Sequence, residues 1–226
     1  MGNNYKPSLR MLKDSDLQKN LEKYRQKAIE FGANDAKIIP ASDVVVDERV
    51  YMKCLVPRCQ GLRHGGTPHC PPHTPQPDFV RKVLARYQWA IVFKRDVENL
   101  EDYIPTSDAK VEEIRAKSKE VEGYHARTIE IVGRLESLAQ SEGYYLALGF
   151  SGGSCRLSLC RGANCAVIEN GNCRFPLKAR PAMEAVGIDV FDLAKKVGWD
   201  AYMIRRVEPD LSVFPCGVSI AILFVC

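Results

Sequence analysis

A run of four cysteines within 19 residues is the feature that most constrains this chain. Cys155, Cys160, Cys165 and Cys173 follow the spacing C-x4-C-x4-C-x7-C, and four glycines lie around and between them. Thiolates are soft metal ligands, and a glycine-rich backbone can bend until several sulfurs face one point. This run, the four-cysteine loop, therefore predicts a cysteine-ligated metal centre.

The spacing of the four-cysteine loop favours an iron–sulfur cluster. Four thiolates suit either tetrahedral zinc or a [4Fe–4S] cluster, in which each iron takes one sulfur. Structural zinc sites usually contain tight C-x2-C pairs, and the chain has none. The spacing also differs from the C-x2-C-x2-C run of bacterial ferredoxins. Zinc stays open as the alternative metal.

Basic residues flank the same loop. A cluster with four thiolates is negatively charged, so nearby cations would stabilise it and raise its reduction potential. The alternative is an ordinary solvated charged surface. The residues concerned are Arg156, Arg161, Arg174, Lys178 and Arg180.

A second cysteine-rich segment, residues 54–77, supplies Cys54, Cys59 and Cys70 in the spacing C-x4-C-x10-C. Its six prolines predict an irregular loop. The three cysteines could complete a Cys3His zinc site, or hold a [4Fe–4S] cluster by three irons and leave the fourth open. Both loops could instead contribute to one site. Secondary candidate ligands are His64, His69, His73 and Cys216.

Composition limits the class of protein. The nine cysteines are an odd number, and the first residues lack the apolar core of a secretory signal. We therefore expect a cytoplasmic protein in which the clustered cysteines bind metal, with redox thiols and disulfides as weaker alternatives. No apolar run reaches the roughly 18 residues of a membrane span. A net charge of +4 does not favour nucleic-acid binding.

Alternating helix and strand patterns predict an α/β fold: a layered mixed sheet flanked by helices, with two cysteine-rich metal-binding loops. We expect a lead-in and helix at residues 1–35 and one α/β metal-binding domain at residues 36–226. The expected strands are residues 36–40, 89–93, 144–150, 201–207 and 218–225. The expected helices are residues 15–31, 78–87 (with Phe79, Val83 and Tyr87 on its apolar face), 108–141 (with a kink or boundary at Gly123), 181–186 and 190–197.

Two motifs resemble a known family. Cys70-Pro71-Pro72 follows two earlier cysteines, and residues 173–190 carry the pattern C-R-x-P-x-x-A-R-P-x-M-E-A-x-G-I-D-V. Over roughly residues 36–225 the chain is similar to a prokaryotic, cysteine-rich family of predicted metal-binding proteins, a domain of unknown function common in anaerobes. The resemblance implies a cysteine-ligated iron–sulfur centre and an anaerobic setting, and it implies no reaction.

We therefore expect an accessory redox or electron-transfer protein of anaerobic metabolism that binds one or two [4Fe–4S] clusters. An enzyme that binds substrate at an open iron of a three-cysteine cluster is one alternative. A zinc-stabilised interaction module is another. The expected partner is a redox protein or a small-molecule substrate, and an oligomer is compatible with the sequence.

Overall fold

A four-stranded sheet with the strand order β1-β2-β4-β3 organises this computed structural model, which describes residues 14–59, 66–97, 99–106, 109–204 and 210–226. The strands are β1 (Asp35–Pro40), β2 (Trp89–Val97), β3 (Leu148–Phe150) and β4 (Gly217–Phe224). All three strand pairs are antiparallel, whereas a mixed sheet was expected. An isolated bridge between Ser151 and Ala182 is the parallel contact in the described residues.

Helices cover both faces of the sheet and confirm the predicted α/β class. None of the helices in the described ranges is both long and apolar enough to cross a membrane. The helices are α1 (Asp14–Glu30), α2 (Glu48–Leu55), α3 (Pro77–Leu84), α4 (Val111–Ser141), α5 (Cys155–Ser158), α6 (Ala166–Asn170) and α7 (Val190–Lys196).

The two central strands bury both of their faces. In β2, Ile91 and Phe93 pack against α1 and α4, whereas Ala90 and Val92 pack on the opposite side with α3 and α7. Successive side chains of a strand point to opposite faces, so a strand between two helical layers is apolar throughout. Burying each large apolar side chain stabilises the fold by about 1.5–3 kcal/mol. The sheet is thus a rigid base for the loops at its edges.

Several elements lie where the sequence places them. Helix α1 buries Leu21, Tyr24 and Ala28, and Gly32 follows it with a φ of 111°. The Asp189 side chain accepts hydrogen bonds from the first turn of α7, as its capping position predicts. Strand β4 fills a central position in the sheet. These features depend on local pattern and capping chemistry.

Other elements differ from expectation. Helix α3 buries Val80 and Leu84 and leaves Phe79 58% exposed, so the face chosen from Phe79 was wrong. Helix α4 continues through Gly123 without interruption, because its C-terminal half is held by the sheet. Strand β3 has three residues, and residues 201–204 form no strand; the rest of that expected strand lies outside the described residues. Cys54 lies on α2 and not in an irregular loop.

Candidate metal centre

A cavity of about 190 Å³ brings the four-cysteine loop together with residues 67–69. All four cysteines of the loop line it: Cys155, Cys160, Cys165 and Cys173. A single water molecule needs about 10–15 Å³ by the same measure, so the cavity has room for a group much larger than one atom. Residues spread over 19 positions of the chain therefore border one cavity.

Short helices and tight turns give the four-cysteine loop its shape. Cys155 begins α5, and Cys165 precedes α6. Gly162 turns the chain between them with a φ of 79°, a left-handed conformation that favours glycine. The Arg156 side chain donates a hydrogen bond of 2.5 Å from Nη1 to the Gly162 carbonyl and so fixes this turn. The backbone conformation holds the cysteines around the cavity.

The entrance to the loop packs on His125 of α4. Gly153 has a φ of 77°, and a Cβ atom there would lie 2.8 Å from Cγ of His125. His125 Nδ1 lies 3.1 Å from Oγ of Ser219, and burial lowers the pKa of His125 to about 4. The structure thus places His125 as a hydrogen-bonded histidine beneath the loop.

The two cysteine-rich segments meet at Thr67, which is 1% exposed. Its hydroxyl donates to Sγ of Cys70 at 3.5 Å and accepts a weak 3.9 Å contact from Sγ of Cys155. Nδ1 of His69 lies 3.5 Å from the same Cys155 sulfur. Both cysteines are buried. One hydroxyl group therefore links a sulfur of the first segment to a sulfur of the second.

Burial dominates the acid–base behaviour of these thiols. It raises the pKa of Cys155 to about 12, with the nearby Cys70, Cys160 and Cys165 adding to the shift. Burial also raises the pKa of Cys70, against the opposing effects of Thr67 and Ser154. A thiol with a raised pKa stays protonated at neutral pH, and a metal ion must displace that proton when it binds.

A backbone hydrogen-bond donor and two arginine side chains also lie at the cavity. The backbone N–H of Phe175 donates to Sγ of Cys173 at 3.3 Å. Arg156, only 3% exposed, and Arg174 both line the cavity. The other flanking cations lie elsewhere: Arg180 forms an ion pair with Glu136 and Lys178 with Glu130, and Arg161 is exposed. Two of the five flanking basic residues therefore border the cavity.

The cysteines of the first segment form a neighbouring group. Burial raises the pKa of Cys54 to about 12, and the charges of Cys59, Glu184 and Cys70 raise it further. Glu184 was not among the site residues predicted from the sequence. Its place in the M-E-A-x-G motif was the available signal.

Of the remaining candidate ligands, only His69 is shown to line the cavity. His69 lines the cavity, His73 is exposed, and His64 lies outside the described residues. Cys216 lies near Tyr124 and contributes to the raised pKa of that phenol. In the described part of the chain, no three Cys, His, Asp or Glu side chains already surround a common point as ligands of one metal ion.

Comparison with protein families shows what the chain is similar to. The model of a family described as "Predicted metal-binding protein (DUF2284)" matches residues 37–216. No curated protein and no solved structure matches the chain. The match covers both cysteine-rich segments and confirms the resemblance that the CPP and M-E-A-x-G-I-D-V motifs indicate.

Proposed function

The chain belongs to the DUF2284 family of predicted metal-binding proteins, and we propose that its four-cysteine loop binds a [4Fe–4S] cluster with an accessory redox role. One observation carries this proposal: Cys155, Cys160, Cys165 and Cys173 all line a single cavity. Four thiolates are the ligand set of a [4Fe–4S] cluster, one for each iron.

The size of the cavity favours a cluster over a single zinc ion. In a tetrahedral zinc site the Zn–S bonds are about 2.3 Å, so the four sulfurs close tightly around one atom. A cavity of about 190 Å³ is large for that arrangement. A cluster places four irons between the sulfurs and so fills more space. Zinc would support the alternative of a zinc-stabilised interaction module.

The residues around the cavity suit a redox centre. A bound cluster would supply one-electron transfer. The backbone N–H of Phe175 would donate to the Cys173 thiolate, and the buried Arg156 places a positively charged side chain in the lining of the cavity. Hydrogen bonds to sulfur and nearby positive charge both favour the more negative, reduced state and raise the reduction potential. The exchange partner would be a redox protein or a small molecule.

An enzyme that binds substrate at an open iron is the second candidate function. Cys54, Cys59 and Cys70 supply only three thiols, and they lie outside the lining of the four-cysteine cavity. A cluster held by three cysteines leaves one iron for an exchangeable ligand. This candidate requires a second metal centre, held by these three cysteines.

Metal analysis of protein purified without oxygen tests the proposal. We expect about four irons and four acid-labile sulfides for the four-cysteine loop, with an absorbance band near about 400 nm. Cys165→Ser should lose this iron and the absorbance. Cys216→Ser is the matched control, because Cys216 does not line the cavity. Wild-type iron in Cys165→Ser would contradict the ligand assignment, and zinc without iron would favour the interaction module.

A further inference from the structure

His69 lies against the four-cysteine loop, although it belongs to the first cysteine-rich segment. Its Nδ1 atom is 3.5 Å from Sγ of Cys155, a distance at which an N–H group can hydrogen-bond to the large sulfur atom. The partly buried His69 lines the cavity, whereas His73 in the same segment is exposed and is not part of the cavity lining. The first segment therefore places one imidazole ring beside a cysteine of the proposed centre.

A tight turn holds His69 in this position. The Thr67 carbonyl accepts a hydrogen bond from the N–H of Cys70 at 3.0 Å, and the Thr67 hydroxyl accepts one from the N–H of His69 at 3.0 Å. Pro68 restricts the backbone between these contacts. Further along, the Thr74 hydroxyl donates to the Ala185 carbonyl at 2.7 Å, which anchors the segment to a separate part of the chain. The position of the ring is therefore fixed on both sides.

Metal binding decides which atom donates in the contact between His69 and Cys155. A free thiol can donate its proton, but a metal-bound cysteine is a thiolate and can only accept hydrogen bonds. The Thr67 hydroxyl, 3.9 Å from the same sulfur, has a single proton and donates it to Sγ of Cys70. His69 can donate from Nδ1 as a neutral ring protonated at that atom or as an imidazolium. The donor role therefore does not require a change in the charge of the ring.

A hydrogen bond to a ligand thiolate affects the reduction potential of the centre. Reduction adds one negative charge to the cluster and its thiolates, so a hydrogen bond donated to sulfur becomes stronger in the reduced state. Cys155 is buried, and a hydrogen bond is electrostatically stronger in a buried site than in water. Removal of this donor should therefore lower the reduction potential while leaving all four cysteine ligands in place.

We propose that His69 donates a hydrogen bond from Nδ1 to the Cys155 thiolate of the iron–sulfur centre and thereby raises its reduction potential. This role rests on the proposed function and differs from that of a metal ligand. It gives the segment around Cys70 an effect on a centre that the four-cysteine loop holds. His69 is thus a positioning residue that acts through Cys155.

The midpoint potential of full-length protein purified without oxygen tests this role, by redox titration followed at about 400 nm. His69→Leu removes the donor, whereas His69→Asn places an amide N–H close to the position of Nδ1. We expect His69→Leu to keep the wild-type iron content and to be reduced about three- to tenfold less favourably. For a one-electron couple this is a midpoint potential lower by about 30–60 mV. His69→Asn should recover most of the shift.

His73→Leu is the matched control, because His73 is a histidine of the same segment that is exposed. It should keep the wild-type potential and iron content. If His69→Leu does not fold, His69→Gln replaces it, since the glutamine amide reaches beyond the position of Nδ1 and should lower the potential in the same way.

The iron content and the potential together separate the possible outcomes. Loss of iron in folded His69→Leu would make His69 a ligand and overturn the donor role. A wild-type potential in His69→Leu, or an equally lowered potential in His69→Asn, would also overturn it and leave the proposed function intact. Wild-type protein that binds no iron would overturn both the proposed function and the role of His69.

Discussion

The Sγ atom of Cys155 lies 3.5 Å from Nδ1 of His69, although 86 positions of the chain separate the two residues. Thr67, two positions before His69, contacts the same sulfur. The two cysteine-rich segments are therefore in direct contact. This contact makes the junction the region where stability and metal binding should be most closely coupled.

The hydroxyl of Thr67 should contribute measurably to stability. Thr67→Val keeps the shape of the side chain and removes the hydrogen bonds to Cys70 and to the His69 N–H. Because the site is buried, we expect a loss of about 1–3 kcal/mol in the free energy of unfolding, measured by urea denaturation of metal-free protein.

Thr128→Val is the control for this change. Thr128 is also fully buried, but its hydroxyl has no hydrogen-bond partner among the described residues, so its removal should be neutral or stabilising. Equal effects of the two substitutions would show that the Thr67 hydroxyl does not hold the junction together.

The ion pair between Arg180 and Glu136 should stabilise the segment that follows Cys173. Arg180 donates from Nη2 and Nε to the two carboxylate oxygens at 2.7 and 2.9 Å, and both side chains are largely buried. Arg180→Gln would leave the Glu136 carboxylate without its cation. We expect a loss of about 3–5 kcal/mol in the free energy of unfolding.

The neighbouring Lys178→Gln is the control, since the ion pair of Lys178 with Glu130 is exposed and should contribute less than about 1 kcal/mol. Denaturant unfolding of both variants gives the comparison. A loss for Arg180→Gln no larger than that for Lys178→Gln would contradict the structural role of the buried pair.

The glycine at position 153 should be more sensitive to substitution than the glycine at 162. Both have positive φ values, 77° and 79°, so alanine at either position costs about 1–2 kcal/mol in backbone conformation. At Gly153 a Cβ atom would also meet the His125 ring, whereas no atom of the part of the chain that the structure describes lies within 4 Å of a Cβ at Gly162. Gly153→Ala should therefore cost about 1–3 kcal/mol more in unfolding free energy than Gly162→Ala. Similar costs would mean that His125 does not support the loop as described.

His125 should make the protein less stable in mild acid. Its native pKa is about 4, lowered by burial from an ordinary value of 6.5. Between these values the unfolded chain binds a proton that the native state does not, so stability falls as pH falls from about 7 to 4. His125 should account for about 3 kcal/mol of this fall. The wild type should lose about that much more unfolding free energy than His125→Gln over this range; parallel pH profiles would contradict the assignment.

The contrast between local and long-range information explains what the sequence could predict. The apolar stripe of α1, the Asp189 cap of α7 and the apolar β4 each follow from residues close in the chain. The choice of Phe79 as an inward residue failed, because the face that α3 buries depends on what the sheet and α7 present to it.

The candidate metal centre shows the same contrast between local and long-range information. Four cysteines on glycine-rich backbone within 19 residues predict that their side chains can face a common space, because the constraint is local. The contact of Thr67 with Cys155 and the position of Glu184 near Cys54 join segments that are distant in the chain. No periodicity or spacing encodes such contacts. They depend on how the sheet brings its connecting segments together.

Anomalous X-ray scattering at the iron absorption edge, from crystals grown without oxygen, tests the central claim most directly. The account predicts a strong iron peak within the cavity lined by Cys155, Cys160, Cys165 and Cys173. The absence of any iron or zinc peak in that cavity, with the four cysteines ordered around it, would contradict the claim that this loop is a metal centre.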